Sequence, residues 1–202
     1  MMFSRSKLLV VSALIAVLTY LTGCSISPAN QQDLTGNYTD LDSPGLNQGS
    51  VPIDFSLQDT SGSVVRLADV LKTNHVLLIF YRGDWCPYCI DQFSTIQPVL
   101  PELKRYNVKL LAISPDDVAT AKNTKRKFGQ DYTFLSDAQL STTKDYGIGS
   151  EKDLPHPAVF LIRQSSTIES SEILWMYAST DHTVRPDGEQ LLQQIKSLFE
   201  RN

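Results

Sequence analysis

The sequence contains few of the side chains that bind metal ions. Its 202 residues include only three cysteines and three histidines. Cys86 and Cys89 form a single Cys-x-x-Cys motif, while His75, His156 and His182 are scattered along the chain. A structural zinc ion usually needs two further cysteine or histidine ligands at short spacing, and this chain does not offer them. We therefore expect no zinc site, no other resident metal and no cofactor.

Long tracts of positive charge are also missing. The chain has 18 Lys and Arg against 22 Asp and Glu, which gives a formal net charge of −4. Its one short basic run, Lys-Arg-Lys at residues 125–127, is expected at the solvated end of a helix, where positive charge complements the helix dipole. No nucleic-acid partner is expected, because nothing in the chain resembles a basic binding stripe.

The N-terminus lacks an apolar run long enough to span a membrane comfortably. The apolar segment at residues 8–21 follows two basic residues and is shorter than the roughly 20 residues of a transmembrane helix. This arrangement is typical of a signal peptide. Leu-Thr-Gly-Cys at residues 21–24 resembles the bacterial lipobox, which implies cleavage after residue 23 and a lipid on Cys24. An ordinary signal peptide and an uncleaved anchor helix are the alternatives.

The next segment has the composition of a linker. Residues 24–50 are rich in Ser, Asn, Gln, Asp, Gly and Pro, and they predict a flexible tether before a folded domain at 51–202. Export would place that domain in the cell envelope, facing the periplasm, where disulfides persist. Ser25 stands where inner-membrane lipoproteins of enteric bacteria carry aspartate, and this resemblance favours the outer membrane.

One stretch carries the strongest chemical signal. A continuous apolar run at residues 76–81 predicts a buried strand, and Trp-Cys-Pro-Tyr-Cys at residues 85–89 then opens a helical spacing. Residues three apart share a helix face, with Cα atoms about 5–6 Å apart, which suits a disulfide. Cys86 falls at the helix start, where free N–H groups and the dipole favour a thiolate. We therefore predict Cys86 as the attacking thiolate and Cys89 as the resolving thiol.

The rest of the chain alternates between strand and helix patterns, which predicts an α/β fold with right-handed crossovers. A β-hairpin is expected near residues 55–65, and further buried strands are expected at 108–114 and 158–162. Pro98 and Pro101 predict a bend in the helix that follows the cysteines. An apolar stripe along the final helix is expected to pack in the core.

Three segments resemble one known family. They are Phe-Tyr-Arg-Gly-Asp-Trp-Cys-Pro-Tyr-Cys at 80–89, Pro-Ala-Val-Phe-Leu-Ile at 157–162 and Asp-His-Thr-Val-Arg-Pro at 181–186. They are similar to the peroxiredoxin-like branch of the alkyl hydroperoxide reductase/thiol-specific antioxidant family. This resemblance covers about residues 51–200 and implies a thioredoxin-like fold with an N-terminal β-hairpin extension.

The chain departs from the family at the residues that activate peroxide. Typical peroxiredoxins carry Pro-x-x-x-Thr-x-x-Cys, and that pattern, placed on Cys89, finds Arg82 and Cys86 instead of proline and threonine. The family's peroxide-binding arginine would fall at Pro157. The resemblance thus implies a thioredoxin-like dithiol, with Pro157 as a cis-proline that faces it.

Three neighbours of the dithiol have predicted supporting roles. His156 is either an exposed loop histidine or a group that tunes the Cys86 thiolate and donates a proton. Trp85 is predicted to act as a packing lid, and Arg82 to favour the thiolate by its charge. Asp84 would oppose Arg82.

The main prediction is a membrane-anchored thiol–disulfide oxidoreductase that acts on a protein or small-molecule disulfide together with a redox donor protein. The alternative is a thiol peroxidase, in which a hydroperoxide oxidises one cysteine to a sulfenic acid. A third hypothesis is copper delivery by Cys86, Cys89 and His156. The copper chaperones of this fold carry Cys-x-x-x-Cys, so the spacing here argues against that role.

Overall fold

A computed structural model describes residues 36–200 of the chain, with one mixed β-sheet at the centre. Its strands are β1 (Tyr38–Thr39), β2 (Ser56–Asp59), β3 (Val64–Arg66), β4 (His75–Phe80), β5 (Val108–Ser114), β6 (Tyr132–Ser136), β7 (Ala158–Ile162) and β8 (Ile173–Ala178). They lie in the order β1-β8-β7-β4-β5-β6-β2-β3 across the eight-stranded sheet. The strand that leads to the cysteines, β4, is therefore central, between β7 and β5.

Helices connect and cover these strands. They are α1 (Leu67–Leu71), α2 (Pro87–Ile96), α3 (Leu100–Arg105), α4 (Val118–Phe128), α5 (Ser141–Asp145) and α6 (Gly188–Phe199), with 3₁₀ turns at Gln97–Val99 and Ile168–Ser170. The bend predicted in the helix that follows the cysteines lies at the first of these turns, between α2 and α3. Pro98 and Pro101 cause it, because neither can donate a backbone hydrogen bond within the helix.

The central strand is buried on both faces, as its apolar run predicts. Ile79 and Tyr81 point into the core layer that contains Phe93 of α2. Leu78 and Phe80 point into the opposite layer. This alternation is the two-residue period of a strand, and it divides the interior into two cores. Both cysteines belong to the first core, so the two thiol side chains of the redox motif, Trp-Cys-Pro-Tyr-Cys at residues 85–89, are part of the packed interior.

The segment at residues 36–50 differs from the predicted tether, because it packs along β8. The strand β1 pairs in parallel with β8, and the Trp175 indole donates a 2.8 Å hydrogen bond to the Gly36 carbonyl. The Asn37 and Asp40 side chains accept hydrogen bonds from the backbone of Met176 and Thr180. The polar residues that suggested a linker thus satisfy backbone groups at the sheet edge. The rest of the predicted tether, the predicted signal peptide and Cys24 lie outside the described residues.

The predicted N-terminal hairpin is confirmed at the other edge of the sheet. Strands β2 and β3 are antiparallel, and β2 also pairs with β6. The Asp59 carboxylate accepts hydrogen bonds from the backbone N–H groups of Ser61 and Ser63, while Gly62 takes a φ of +84°. Within residues 36–200, no helix is both long and apolar enough to cross a membrane.

The start of α6 is packed tightly against α2. The Asp187 side chain caps α6 by accepting a 2.8 Å hydrogen bond from the Gln190 N–H group. The Gly188 N–H group donates a 3.0 Å hydrogen bond to the Thr95 hydroxyl. A Cβ atom on Gly188 would lie 2.0 Å from the Thr95 carbonyl oxygen, so no larger residue fits without backbone movement.

We expect Gly188→Ala to lower the free energy of unfolding by about 1–3 kcal/mol, the usual cost of forcing extra atoms into a packed site. Gly36→Ala is the matched control, because a Cβ there meets nothing within 4 Å. Urea unfolding followed by circular dichroism measures both variants. Equal stability of the two would show that α6 does not approach α2 this closely.

Candidate active site

The two cysteines occupy the first turn of α2. Cys86 is the N-cap residue, with extended backbone angles, and Pro87 takes the first helical position. The Cys86 carbonyl accepts hydrogen bonds from the N–H groups of Cys89 and Ile90, each 3.1 Å long. A disulfide joins Cys86 to Cys89, with Cα atoms 5.3 Å apart. This distance agrees with the helical spacing that suggested the pairing.

The dithiol is buried, but its neighbours are exposed. Cys86 is 1% exposed and Cys89 is 0% exposed, whereas Trp85 is 56% and Tyr88 is 44% exposed. Trp85, predicted as a packing lid, lies at the surface under the Arg82 guanidinium, which is 5.2 Å from its ring centroid. Burial in an apolar core disfavours a thiolate, so a nearby positive charge is needed to keep either sulfur ionised.

Arg185 supplies that charge. Its Nη2 atom donates to the Cys86 Sγ atom across 3.8 Å, and its Nε atom is buried with no hydrogen-bond partner among the described residues. Burial lowers the pKa of Arg185 to about 10. The charge of Tyr177 raises this pKa, and the charge of Arg82 lowers it further. The guanidinium group therefore remains cationic at neutral pH. No such contact reaches Cys89 among the described residues.

Backbone contacts on both sides fix the position of Arg185. The buried Gln92 amide of α2 donates a 3.0 Å hydrogen bond to the Pro186 carbonyl. The Tyr177 hydroxyl of β8 donates a 2.7 Å hydrogen bond to the Val184 carbonyl. The arginine is thus held beside the sulfur before any substrate arrives, and such preorganisation is what makes a charge effective in catalysis.

Sequence reasoning missed Arg185 as a site residue. It lies 99 positions after Cys86, and only the fold brings the two together. The available signal is the segment at 181–186, which resembles the family but by itself gives no role to its arginine.

Asp116 anchors the loop that precedes the cysteines. Its Oδ2 atom accepts 3.0 Å hydrogen bonds from the Asp84 N–H group and from the Ser114 hydroxyl. Burial raises the pKa of Asp116, and the nearby charge of Asp84 adds to that effect. Gly83 has a φ of +142°, and a Cβ there would lie 2.7 Å from the Trp85 indole nitrogen. A glycine is therefore required where the chain turns from β4 into the redox motif.

The prediction of a cis-proline at position 157 is wrong, because the described residues contain no cis peptide bond. Backbone hydrogen bonds hold this segment in an extended path into β7. The His156 N–H group donates to the Ile148 carbonyl across 2.8 Å, and the Pro157 carbonyl accepts a 3.1 Å hydrogen bond from Ser179. The segment therefore enters the strand directly.

His156 lies close enough to Arg82 to feel its charge, and it makes no hydrogen bond to either cysteine among the described residues. Burial lowers the pKa of His156, Asp40 raises it and Arg82 lowers it further. The neutral imidazole is therefore favoured.

The set predicted for copper delivery is not assembled, because residues 36–200 hold no group of three His, Cys, Asp or Glu side chains arranged to bind a metal.

Comparison with known proteins identifies a family. The sequence profile of the AhpC/TSA family matches residues 49–171. Chloroplastic peroxiredoxin Q of Triticum aestivum is 32% identical over 106 residues, which cover 52% of this chain and 48% of that protein. A putative peroxiredoxin bcp of Coxiella burnetii is 31% identical over 99 residues, covering 49% and 65%. This chain thus spans about half the length of the peroxiredoxin Q relative from Triticum aestivum.

Solved structures establish the fold. A peroxiredoxin-like protein from Aquifex aeolicus superposes with a TM-score of 0.66 at 17% identity, covering 78% of this chain and 90% of that one. Peroxidoxin BcpB from Mycobacterium tuberculosis gives a TM-score of 0.63 at 23% identity, covering 78% and 99%. The predicted thioredoxin-like α/β fold is therefore confirmed. The profile match covers more than half of the chain and shows that it belongs to the AhpC/TSA family.

Proposed function

We propose that this protein is a thiol peroxidase, in which Cys86 reduces a hydroperoxide and Cys89 then closes the disulfide. The sequence alone favoured disulfide exchange and kept peroxide reduction as the alternative. Family membership supports the alternative. The observation that carries it here is the 3.8 Å contact between the Arg185 guanidinium and the Cys86 sulfur.

The reaction proceeds in two steps that use both cysteines. The Cys86 thiolate attacks the terminal peroxide oxygen, so an S–O bond forms, the O–O bond breaks and the alcohol leaves after taking up a proton. The Cys89 thiolate then attacks the Cys86 sulfur, which forms the S–S bond and releases the sulfenic oxygen as water. A two-electron redox donor protein afterwards reduces the disulfide back to two thiols by exchange.

The charge of Arg185 acts on the Cys86 thiolate before the attack on peroxide and on the leaving oxygen during it. Its positive charge favours the Cys86 thiolate over the thiol in a buried site. Its guanidinium fork also offers N–H donors to the oxygen that becomes negative as the O–O bond breaks. It thereby takes over the role of the family arginine, whose position holds Pro157 in this chain.

Product stoichiometry tests this function. The reduced protein, mixed with cumene hydroperoxide, is expected to yield one cumyl alcohol for each Cys86–Cys89 disulfide formed. Protein alkylated beforehand with iodoacetamide is the control and is expected to yield none. Disulfide formation without matching alcohol would contradict the proposal.

Disulfide exchange is the second candidate, and the two exposed aromatic side chains favour it. Trp85 and Tyr88 flank Cys86 in sequence and offer apolar contact area to a protein partner. The same surface also suits the donor that recycles a peroxidase. Exchange is therefore expected as the recycling step, at a rate set by the partner.

We also propose that the protein is anchored in the cell envelope, facing the periplasm, through a lipid on Cys24. The lipobox-like residues 21–24 support this, with the outer membrane favoured by Ser25. We expect Cys24→Ala to leave the precursor uncleaved or to release the domain from membranes, while the control Ser25→Ala stays anchored. Mass spectrometry and membrane fractionation measure both. Unchanged mass and fractionation of Cys24→Ala would contradict the anchor.

A further inference from the structure

A cleft of about 350 Å³ opens beside the redox motif. We call it the basic cleft, and its lining includes Arg82, Glu151, Lys152, Pro155, Pro157 and His182. Two lining residues connect it to the active site. Arg82 stands four positions before Cys86, and the His182 ring packs against Tyr88 with centroids 5.8 Å apart. The cleft therefore adjoins the approach to the dithiol.

The cleft has positive groups that form neither ion pairs nor side-chain hydrogen bonds among the described residues. Arg82 and Lys152 form no ion pair and no side-chain hydrogen bond among the described residues, although the Arg82 guanidinium lies against the Trp85 ring. Among the described residues of the lining, Glu151 is the only acid. The neighbouring Asp40 carboxylate already accepts hydrogen bonds from Ser179 and Thr180. Unpaired N–H donors on a half-buried guanidinium favour binding of an anion.

The two arginines near the redox motif also repel each other. Burial lowers the pKa of Arg185 first, and the charge of Arg82 lowers it further. An anion bound at Arg82 would offset that repulsion.

The shape and chemistry of the cleft define the anion. A planar guanidinium fork matches a carboxylate, which accepts two parallel hydrogen bonds. A volume of about 350 Å³ lies near the lower end of the range for small-molecule sites. Pro155 and Pro157 contribute apolar surface to the lining, which suits a compact organic body.

We propose that the basic cleft binds the carboxylate of a small organic hydroperoxide and thereby orients its O–O group toward Cys86. Arg82 holds the carboxylate, Lys152 adds positive charge, and Pro155 and Pro157 contact the organic body. This inference rests on the proposed peroxidase function, and it assigns that function a substrate class: compact hydroperoxides that carry a carboxylate.

A matched pair of substrates tests the rate consequence in the full-length protein. Cumene hydroperoxide and its para-carboxylate have the same reacting group and differ in charge. We expect the reduced protein to react at least about tenfold faster with the carboxylate, the ratio given by one charge-assisted hydrogen bond. Arg82→Gln is expected to bring the ratio of the two rate constants near one, and Lys152→Gln to lower it. Arg126→Gln, an exposed arginine outside the cleft, should retain the full ratio.

A binding measurement separates the cleft from the chemistry. The oxidised protein, which cannot react with peroxide, is titrated with para-isopropylbenzoate and with the neutral para-isopropylbenzamide by calorimetry. We expect only the benzoate to bind, and Arg82→Gln to lose it while Arg126→Gln keeps it. Equal binding of the two probes with a rate ratio of one would overturn the carboxylate site and leave the peroxidase intact. Selective benzoate binding without peroxide reduction would support the site and refute the proposed function.

Discussion

Replacing Arg185 by glutamine is expected to lower the second-order rate constant for oxidation of Cys86 by hydrogen peroxide about 10²–10³-fold, as for loss of one preorganised donor. In the proposed mechanism this guanidinium acts through its contact with the Cys86 sulfur, and burial of that sulfur makes the thiolate depend on the positive charge. Stopped-flow fluorescence of the reduced protein measures the rate. Arg163→Gln is the matched control, because Arg163 pairs with Glu172 at the far end of β7.

The pKa of Cys86 provides a second measure of the same substitution. Removing the cation disfavours the thiolate, so the pKa of Cys86 should rise and the pH at half-maximal alkylation rate should move upward. Arg185→Lys should keep part of the charge effect and lose the fork, so it should restore the thiolate more fully than the peroxide rate. An unchanged rate and an unchanged pKa in Arg185→Gln would remove Arg185 from the mechanism.

The two cysteines are expected to respond differently to substitution, although either change should abolish turnover. Cys89→Ser keeps the thiolate beside Arg185, so it should still react with hydrogen peroxide at close to the parent rate and stop at the sulfenic acid. Cys86→Ser leaves a thiol with no cation in contact, and its rate should fall to that of an unactivated thiol. Dimedone trapping followed by mass spectrometry identifies the oxidised residue.

The family pattern makes this comparison informative. Peroxiredoxins place their peroxide-reactive cysteine where this chain has Cys89, whereas the contact with Arg185 and the helix N-cap position both indicate Cys86. Rapid sulfenic acid formation in Cys86→Ser, with a slow reaction in Cys89→Ser, would reverse the two roles.

Sequence reasoning located the elements whose signal is local. Strand β7 is buried at every position, so its run of five apolar residues predicts where the strand begins and where it ends. Helix α2 also has a local start signal, with Cys86 as its N-cap residue and Pro87 at its first position. Helix α4 likewise has a local start signal, because Asp117 caps it by accepting a hydrogen bond from the Thr120 N–H group, and the helix begins at Val118.

The features that sequence reasoning missed depend on contacts between distant residues. Residues 36–50 have a linker-like composition, yet Asn37 and Asp40 use their polarity to bind the edge of β8. Arg185 lies far along the chain from Cys86, and its role arises only where α2 and the segment before α6 meet. Spacing within the motif could predict the disulfide, but not the cation beside it.

The most direct test of peroxide reduction by an Arg185-activated Cys86 is a pair of second-order rate constants for the reduced protein. One is measured with hydrogen peroxide and the other with a protein disulfide. We predict that the peroxide rate constant lies orders of magnitude above that of an unactivated thiol and exceeds the exchange rate constant. A peroxide rate constant equal to that of an unactivated thiol, together with rapid exchange, would contradict this function and identify a disulfide oxidoreductase.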